Sequence, residues 1–256
     1  ACFMKILLGG ALGRMGREVT AAAAEAQVEI VCGVDVAYTG QPSDYPIVTA
    51  FDQATQKADV LIDFSRPSAL PELLQLARKE KMPTVLCTTG YNEAELQMIE
   101  EASREIPVFR SANMSLGVNV LRHLVQEAAR ALGEDFDVEI VERHHRMKAD
   151  SPSGTALMLY DSVKEATETL RQPVFGRYGR TAQRQPGEVG IHAVRGGTIT
   201  GEHEVCFYGD GEELILTHRA EKRSLFARGA LRAAAFLMDK PAGKYDMQDL
   251  IEEMLR

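Results

Sequence analysis

The sequence of 256 residues predicts an α/β fold with two domains: a doubly wound parallel sheet, and an inserted α+β domain with a mostly antiparallel sheet. Three observations lead to this prediction. Short apolar runs alternate with helical stretches early in the chain, strand-like runs dominate a later segment, and a helical pattern returns at the end. With 45% hydrophobic residues, a chain of this length can also bury the cores that two domains require.

The first domain is predicted from strands and helices that alternate at short spacing. Strands are predicted where short apolar runs end at glycine, a polar residue or a turn: 5–10, 28–34, 58–64, 83–87 and 107–110. Helices are predicted between them, at 14–26, 67–81 and 93–105, with a loop at 42–46. Helical crossovers between successive strands predict that the strands run parallel.

The pattern changes after Asn113 and predicts a second domain. Residues 117–132 read as one long amphipathic helix, because apolar side chains recur there at helical spacing. The further elements predicted are a strand at 137–143, a helix at 155–170, and an antiparallel meander at 191–197, 198–209 and 212–221. A helix at 225–238 and a last one capped by Asp246 then return to the first domain. The predicted boundaries are therefore 1–115 with 223–256, and 116–222.

Composition excludes several classes of function. The net charge is −8 with both signs interspersed, which disfavours nucleic acid as a partner because duplex binding requires clustered Lys and Arg. No apolar run is long enough to span a membrane, so we expect no membrane-spanning segment. Four cysteines without paired spacing favour free thiols in a reducing, cytoplasmic compartment: Cys2, Cys32, Cys87 and Cys206.

A glycine-rich turn after the first predicted strand indicates a dinucleotide site. Gly10, Gly13 and Gly16 have the spacing GxxGxxG, and such glycines let the backbone approach a pyrophosphate at a helix N-terminus. Ordinary tight turns use the same residue. Asp35 favours the cofactor, because it ends the second predicted strand, where an acidic side chain can bind ribose hydroxyls.

Two further polar turns follow predicted strands. Thr88 and Thr89 come after the strand at 83–87, and a Ser-Ala-Asn turn at 111–113 comes after the strand at 107–110. The carboxyl ends of strands line the ligand crevice of an open α/β sheet, so we expect contact with the nicotinamide half of a cofactor. Plain turn chemistry is the alternative.

The stretch at 142–157, ERHHRMKADSPSGTAL, combines proton donors with positive charge. His144 and His145 suit general acid/base catalysis, because imidazole titrates near neutral pH, and Lys148 would attract an anion. A zinc site and two ordinary surface histidines are the alternatives. No Cys or third His lies nearby at ligand spacing, so we expect no metal.

A Ser-Pro-Ser-Gly-Thr turn opens the next predicted helix. Ser153, Gly154 and Thr155 offer backbone N–H groups and hydroxyls at a helix N-terminus, which suits a carboxylate. Together with the histidines, this clamp predicts a small substrate that carries carboxylates and accepts a proton.

The string ERHHRMKADSPSGTA closely resembles the signature of the 4-hydroxy-tetrahydrodipicolinate reductase (dihydrodipicolinate reductase) family. Further motifs of that family follow in the expected order over nearly the whole chain: GGALGRMG, IDFSRP, CTTGY, SANMSLGVN, GEHEVCF and HRAEKRSLFARGALRAA. The resemblance implies an enzyme of diaminopimelate and lysine biosynthesis, an NAD(P)H-dependent oxidoreductase. It also implies a Rossmann-like cofactor domain at 1–115 and 223–256, and a domain at 116–222 that binds the substrate and assembles a homotetramer through its sheet.

The resemblance assigns roles by motif position. His144 and Lys148 would be catalytic, supplying the proton when a hydride adds to C4 of the substrate, and His145, Gly154 and Thr155 would bind the substrate. NADH or NADPH would lie among Gly10, Ala11, Leu12, Gly13, Arg14, Met15, Asp35, Cys87, Thr88, Thr89, Ser111, Ala112, Asn113 and Met114.

Three positions depart from the usual family residues. Cys87 replaces a common Gly, Ser151 replaces Ala, and Met114 replaces Phe. Cys87 is the departure expected to crowd the cofactor.

Two other classes of function stay open at this point. A different NAD(P)-dependent dehydrogenase of amino or imino acids would share the first domain but not the PSGTA clamp, and a substrate panel separates the two. A non-catalytic NAD-binding module would leave the HHxxK motif unexplained. A semialdehyde dehydrogenase would need a nucleophilic cysteine, and none lies near the histidines in the sequence.

We predict that NADH is at least as good a cofactor as NADPH. Val36, Ala37 and Tyr38 follow Asp35, so a 2′-phosphate would meet an acid without an adjacent cation. Arg14 is the one residue of the glycine loop that could supply the missing charge. Steady-state kinetics with both cofactors measure the preference, and a strong preference for NADPH would contradict the prediction.

Overall fold

The structure is a computed structural model that describes residues 3–169 and 171–256. The chain divides into two compact units. The first comprises Ala1–Ser115 together with Arg223–Arg256, and the second comprises Leu116–Lys222.

The first unit is built on one seven-stranded sheet in the order β12-β6-β5-β4-β1-β2-β3. Its strands are β1 (Lys5–Gly9), β2 (Glu29–Val34), β3 (Ile47–Val48), β4 (Val60–Asp63), β5 (Thr84–Leu86), β6 (Pro107–Arg110) and β12 (Gly243–Tyr245). Every adjacent pair is parallel. The predicted doubly wound parallel sheet is confirmed, and the short strands β3 and β12 are additions that the sequence did not predict.

Helices connect these strands and leave a crevice at the centre of the sheet. They are α1 (Arg14–Glu25), α2 (Leu70–Lys79), α3 (Glu93–Ser103), α6 (Ser224–Leu237) and α7 (Met247–Met254), with single 3-10 turns at Phe51–Gln53 and Pro67–Ala69. Helix α1 packs on α6, and α2 packs on α3. From β1 the chain adds strands first on one side and then, from β4, on the other. The switch between β1 and β4 is the place where open α/β sheets bind ligands.

The central strands of this sheet are mostly apolar and buried, as expected for a parallel sheet with helices on both faces. Ile6, Leu7 and Leu8 on β1 are all buried, although their side chains alternate between the two faces. One core cluster joins the sheet to α2 and α3 through residues such as Leu61, Leu73 and Ile99. The core therefore holds the carboxyl ends of β1 and β4 in fixed positions.

The second unit has one five-stranded sheet in the order β11-β10-β7-β9-β8. Its strands are β7 (Asp137–His144), β8 (Gln172–Val174), β9 (Glu188–Arg195), β10 (Gly201–Tyr208) and β11 (Glu213–Ala220). The helices are α4 (Leu116–Leu132) and α5 (Gly154–Glu165), which share a core cluster with the sheet.

The prediction of an antiparallel meander is wrong in one respect. Strands β10 and β11 form an antiparallel hairpin, but β9 does not pair with β10, the next strand in the chain. Strand β7 lies between them, antiparallel to β10 and parallel to β9. The sheet is therefore mixed, because β7, which is distant from β9 and β10 in the sequence, lies at the centre of the sheet and pairs with both.

Two other expectations need correction at the ends of elements. The helix predicted to reach Leu170 ends at Glu165, and its last predicted residue lies outside the described residues. The strand β8 follows shortly afterwards and was not predicted.

No helix in the described ranges is both long enough and apolar enough to cross a membrane.

Candidate functional site

The glycine-rich loop between β1 and α1 is shaped by close backbone approaches. Gly10 has a φ of +75°, and a Cβ there would lie 2.4 Å from the carbonyl oxygen of Phe64. A Cβ on Gly16 would lie 2.1 Å from the carbonyl oxygen of Gly10. These two glycines are therefore required by the protein backbone itself, whereas Gly13 has an ordinary φ of −69° and its Cβ would come no nearer than 3.3 Å to the Gly10 oxygen.

Asp35 stands at the carboxyl end of β2 and holds this loop. Its Oδ2 accepts a hydrogen bond of 2.8 Å from the backbone N–H of Leu12, and its Oδ1 accepts one of 2.9 Å from Ala37. A carboxylate oxygen has two acceptor positions, so both oxygens keep capacity for a ribose hydroxyl. The structure thus gives Asp35 a role in shaping the loop, in addition to its predicted role towards a cofactor.

A cleft of about 300 Å³ opens beside this loop in the first unit. Gly10, Gly13 and Asp35 line it, as does Arg66, a cation that sequence reasoning missed. Arg66 follows β4 rather than β2, so nothing in the local sequence linked it to Asp35. The glycine cradle, the N-terminus of α1 and the acidic residue at the end of β2 fit a dinucleotide.

Asp63 is a second residue that the sequence did not single out. It ends β4, is 1% exposed, and its Oδ2 accepts a hydrogen bond of 2.8 Å from the Thr88 hydroxyl. Burial raises the pKa of Asp63, against the opposing effect of hydrogen bonds from Ser65 and Thr88. Asp63 therefore fixes the turn after β5, where three of the predicted cofactor residues lie: Cys87, Thr88 and Thr89.

The structure separates the remaining predicted cofactor residues into two groups. Thr89, Ala112, Gly13 and Arg14 are exposed, and the half-buried or buried ones are Leu12, Met15, Cys87, Thr88, Ser111, Asn113, Met114 and Ala11. Ser111 uses its hydroxyl to accept the N–H of Met247, and Met114 packs its carbonyl against Gly229 of α6.

The cysteines in the described ranges are free thiols. They are Cys32, Cys87 and Cys206, and Cys2 lies outside those ranges. Burial raises the pKa of Cys87 well above its usual value, with a smaller effect from Asp63. A thiol with a raised pKa is a poor nucleophile at neutral pH, which argues against covalent catalysis of the semialdehyde dehydrogenase kind.

In the second unit, β7 carries core residues and site residues on the same face. Val138 and Ile140 lie in the apolar core, and Glu142 and His144 continue that face towards the carboxyl end of the strand. His203 on β10 lies directly opposite Glu142. The two-residue period of a strand therefore places these polar side chains at the edge of the core, which buries them.

A buried hydrogen-bond network surrounds His144. Its Nδ1 lies 2.6 Å from Oε2 of Glu142, whose side chain is fully buried. Arg195 donates to both carboxylate oxygens, at 2.7 Å and 2.8 Å, and the N–H of Ser153 donates to Oε1 at 2.9 Å. The rings of His144 and His203 meet edge to face, with centroids 5.1 Å apart.

Ser153, predicted as a substrate contact, makes several hydrogen bonds inside the protein. It is 3% exposed, and its hydroxyl caps α5 by accepting the N–H of Ala156 at 3.1 Å. The same oxygen lies 2.8 Å from Nε2 of His203. With its N–H also given to Glu142, Ser153 is part of the protein's internal network, because burial withdraws it from a ligand.

Gly154 and Thr155 lie at the exposed start of α5. A Cβ on Gly154 would meet no atom within 4 Å, so the protein's own packing does not require glycine there. Helix N-termini carry a partial positive charge and bind carboxylates. The first turn of α5 is thus open to an anionic ligand.

Lys148 and His145 lie in the turn that follows β7. The N–H of Lys148 donates to the carbonyl of His145 at 3.2 Å, and its ammonium pairs with Asp150 at 2.8 Å. The pKa of His203 is lowered to about 4, mainly because the ring is buried. The positive charge of Lys148 contributes to the same lowering. No group of three or more His, Cys, Asp or Glu side chains is arranged to hold a metal ion within 3–169 and 171–256.

Sequence reasoning missed Glu142, Arg195 and His203. A signal for Glu142 was present, since residues i and i−2 of a strand share a face. Arg195 and His203 carry no comparable signal, because each reaches the site from another strand of the mixed sheet.

The fold and the glycine loop define a nicotinamide-dependent oxidoreductase of the doubly wound class. The family profile described as "Dihydrodipicolinate reductase, N-terminus" matches residues 4–114, and the profile "Dihydrodipicolinate reductase, C-terminus" matches residues 117–251. The chain belongs to the dihydrodipicolinate reductase family, as its motifs predicted.

Relatives and solved structures agree with this assignment. The 4-hydroxy-tetrahydrodipicolinate reductase of Caldanaerobacter subterraneus subsp. tengcongensis is 49% identical over 251 residues, covering 98% of this chain and 99% of the relative. The enzyme of the same name from Zymomonas mobilis is 42% identical over 250 residues, covering 97% of each. The dipicolinate-bound dihydrodipicolinate reductase from Paenisporosarcina sp. TG-14 shares the fold, with a TM-score of 0.77 at 22% identity over 96% of this chain and 98% of that one.

We predict that Gly16→Ala and Gly13→Ala separate two reasons for glycine in the cofactor loop. Gly16→Ala should lower both thermal stability and cofactor affinity, because its Cβ would collide with backbone 2.1 Å away. Gly13→Ala should change stability by less than about 0.5 kcal/mol, yet raise the KM for the nicotinamide cofactor roughly tenfold, equivalent to about 1.4 kcal/mol. Differential scanning fluorimetry and steady-state kinetics measure the two effects. Unchanged cofactor affinity in Gly13→Ala would contradict a pyrophosphate at this loop.

Proposed function

We propose that the protein reduces 4-hydroxy-tetrahydrodipicolinate (dihydrodipicolinate) to tetrahydrodipicolinate, with NADH or NADPH, in diaminopimelate and lysine biosynthesis. Relatives of this name match the chain from end to end, at 41% to 49% identity. The observation that carries the proposal is the hydrogen-bonded pair Glu142–His144 beside the N-terminus of α5. It places a group that can exchange a proton next to a carboxylate-binding helix end.

The substrate would be a small cyclic dicarboxylate, and the family resemblance places its carboxylates at Gly154, Thr155, Lys148 and His145. A solved structure of the same family is named as dipicolinate-bound, and dipicolinate is itself a cyclic dicarboxylate. The first turn of α5 supplies backbone N–H groups for one carboxylate. Lys148 would add a positive charge, and its ammonium pairs with the exposed Asp150 at 2.8 Å.

The cofactor would be held by the glycine loop, Asp35 and the turns after β5 and β6. When bound, the reduced nicotinamide supplies the hydride that adds to C4 of the conjugated imine formed after the 4-hydroxy compound loses water. The turn residues would orient the nicotinamide, and Asp63 would fix that turn through Thr88.

The protein's acid residues complete the reaction. Hydride addition at C4 moves electrons towards C3 and the ring nitrogen, which gives an enamine. His144 or Lys148 then delivers a proton to C3 and restores the imine. A positioned acid of this kind typically contributes about 10²- to 10⁴-fold to the rate.

We further propose a cytoplasmic homotetramer that assembles through the sheet of the second unit. Tyr208 on β10 and Ile215 on β11 lie on the sheet face away from the apolar core and are 39% and 44% exposed. A partner sheet would cover them. The scattered free thiols Cys32, Cys87 and Cys206 support a reducing compartment.

An assay that generates the unstable substrate in situ tests the function and its acid residues. We expect wild-type protein to consume reduced nicotinamide, followed by its absorbance, and His144→Ala and Lys148→Ala each to lower kcat by about 100-fold or more. The KM for the cofactor should change little, because both residues belong to the other unit. A variant with unaltered kcat removes that residue from the chemistry, and tight cofactor binding without turnover would favour a non-catalytic module.

Gly154→Ala tests the carboxylate clamp. The folded protein has room for the added methyl group, so thermal stability should be unchanged or slightly higher. The KM for the substrate should rise roughly tenfold because the methyl group occupies the approach of a carboxylate. The KM for the cofactor serves as the internal control. An unchanged substrate KM would move the carboxylate site away from α5.

A further inference from the structure

We infer that Glu142 is a positioning residue for proton transfer: fixed by Arg195, its buried carboxylate holds His144 by Nδ1 and so makes Nε2 the nitrogen that exchanges a proton. The inference rests on the proposed function, because it assigns proton transfer to His144. The sequence motifs assigned no role to Glu142 or Arg195. Their contacts determine which ring nitrogen of His144 exchanges the proton.

The Glu142 carboxylate is held at both oxygens. Oε2 is shared by His144 Nδ1 and one guanidinium nitrogen of Arg195, and Oε1 accepts from the other nitrogen and from the N–H of Ser153. A carboxylate with two partners on each oxygen cannot rotate without breaking several hydrogen bonds at once. The two-pronged contact from Arg195 also matches the planar geometry of the carboxylate.

Charge explains why the carboxylate selects one nitrogen of the ring. Burial acts to raise the pKa of Glu142, but hydrogen bonds from Arg195, His144 and Ser153 outweigh it and the pKa is lowered. Glu142 is therefore ionised at neutral pH and can only accept hydrogen bonds. Nδ1 of His144 must carry a hydrogen in both protonation states, so the proton gained or lost is the one on Nε2.

The other charged and titratable groups around His144 leave this assignment intact. Arg195 lies beside it on β9, His203 faces it from β10, and Lys148 with Asp150 lies in the following turn. His203 stays neutral near pH 7, since its pKa is about 4. His218, behind it on β11, also has a pKa lowered by burial. Glu142 is thus the carboxylate in direct contact with the His144 ring, and it shares that contact with the Arg195 guanidinium.

The same carboxylate connects the acid group to the substrate helix. The N–H of Ser153, the residue that caps α5, donates to Glu142, while Arg195 also donates to the carbonyl of Asp150 at 2.8 Å. Glu142 therefore sets the position of the imidazole and of the helix N-terminus together. A shift of either by a small distance would misalign proton donor and carboxylate site.

Glu142→Gln removes the charge but keeps the shape, and Glu139→Gln is its matched control. Glu139 lies on the same strand and also pairs with an arginine and a histidine, Arg177 at 2.6 Å and His192 at 3.2 Å, but on the opposite sheet face. Both variants are compared with wild type by thermal unfolding and by sedimentation, so that only proteins of equal oligomeric state enter the kinetics.

We expect Glu142→Gln to lower kcat by about 100-fold. The KM for the cofactor should stay within about twofold of the wild-type value. The pH dependence of kcat should differ from that of wild type, because the amide no longer places a negative charge beside the imidazole. Glu139→Gln should keep the wild-type kcat and profile. Imidazole ¹⁵N chemical shifts should show a hydrogen on Nδ1 in the neutral wild-type ring, and a mixture of tautomers in Glu142→Gln.

Arg195→Lys keeps the inference testable if Glu142→Gln does not fold. It retains the positive charge but loses the two-pronged contact, and its kcat and pH profile should fall between those of wild type and Glu142→Gln. A folded Glu142→Gln protein with a wild-type pH profile and tautomer overturns the inference, even if kcat falls. Absence of turnover in the wild-type protein would instead refute the proposed function, and the ¹⁵N shifts of the ligand-free protein would still decide the tautomer.

Discussion

One buried negative charge organises the second unit. The Glu142 side chain has no exposure to solvent, and an unpaired carboxylate in that position would cost several kcal/mol. Its four hydrogen bonds come from three residues, on β7, on β9 and at the cap of α5. Removing one partner of a buried charge pair typically costs roughly 3–5 kcal/mol, so these elements must keep their mutual positions for the unit to remain folded. The hydrogen bonds that stabilise this buried charge therefore also fix the geometry of the proposed acid/base site.

The site also depends on where the core of the sheet ends. Along β7 the inward face reads Val138, Ile140, Glu142, His144, so two apolar residues are followed by two polar ones. On β10 the same transition runs from Val205 to His203. Burial beside the core excludes water from the Glu142–His144 contact, which strengthens its electrostatics. Burial also keeps His203 neutral, so it does not compete for the proton.

The first unit positions its ligand mainly with backbone and with two aspartates. Glycines 10 and 16 allow main-chain atoms to approach each other closely, and Asp35 fixes the loop by accepting the N–H of Leu12. Asp63 does the same for the turn after β5 through the hydroxyl of Thr88. Backbone groups of this kind bind phosphates without requiring a particular side chain of the protein, which suits a cofactor that many enzymes share.

Much of this arrangement was predictable, and the exceptions have a common cause. The alternation of strands and helices at short spacing predicted the parallel sheet, and the glycine spacing predicted the loop, because both depend on neighbours in the chain. The serine-proline-serine-glycine turn predicted the helix that begins at Gly154, and the acid/base role of His144 stays a prediction. The meander failed because β7, more than 40 residues before β9, enters between β9 and β10. Ser153 was assigned to the substrate because its place before a helix is visible in the sequence, whereas its burial is not.

The amino-acid sequence by itself determined the local elements and the glycine loop, and it singled out His144 as the candidate for proton transfer, because each is encoded within a short stretch. Only the tertiary structure decided which charges meet. Arg195 and His203 reach Glu142 and His144 through strand pairing across the mixed sheet, and hydrogen bonds between strands leave no trace in the residues that separate them. The partners of a buried charge are set by register and burial, which exist only once the sheet has formed.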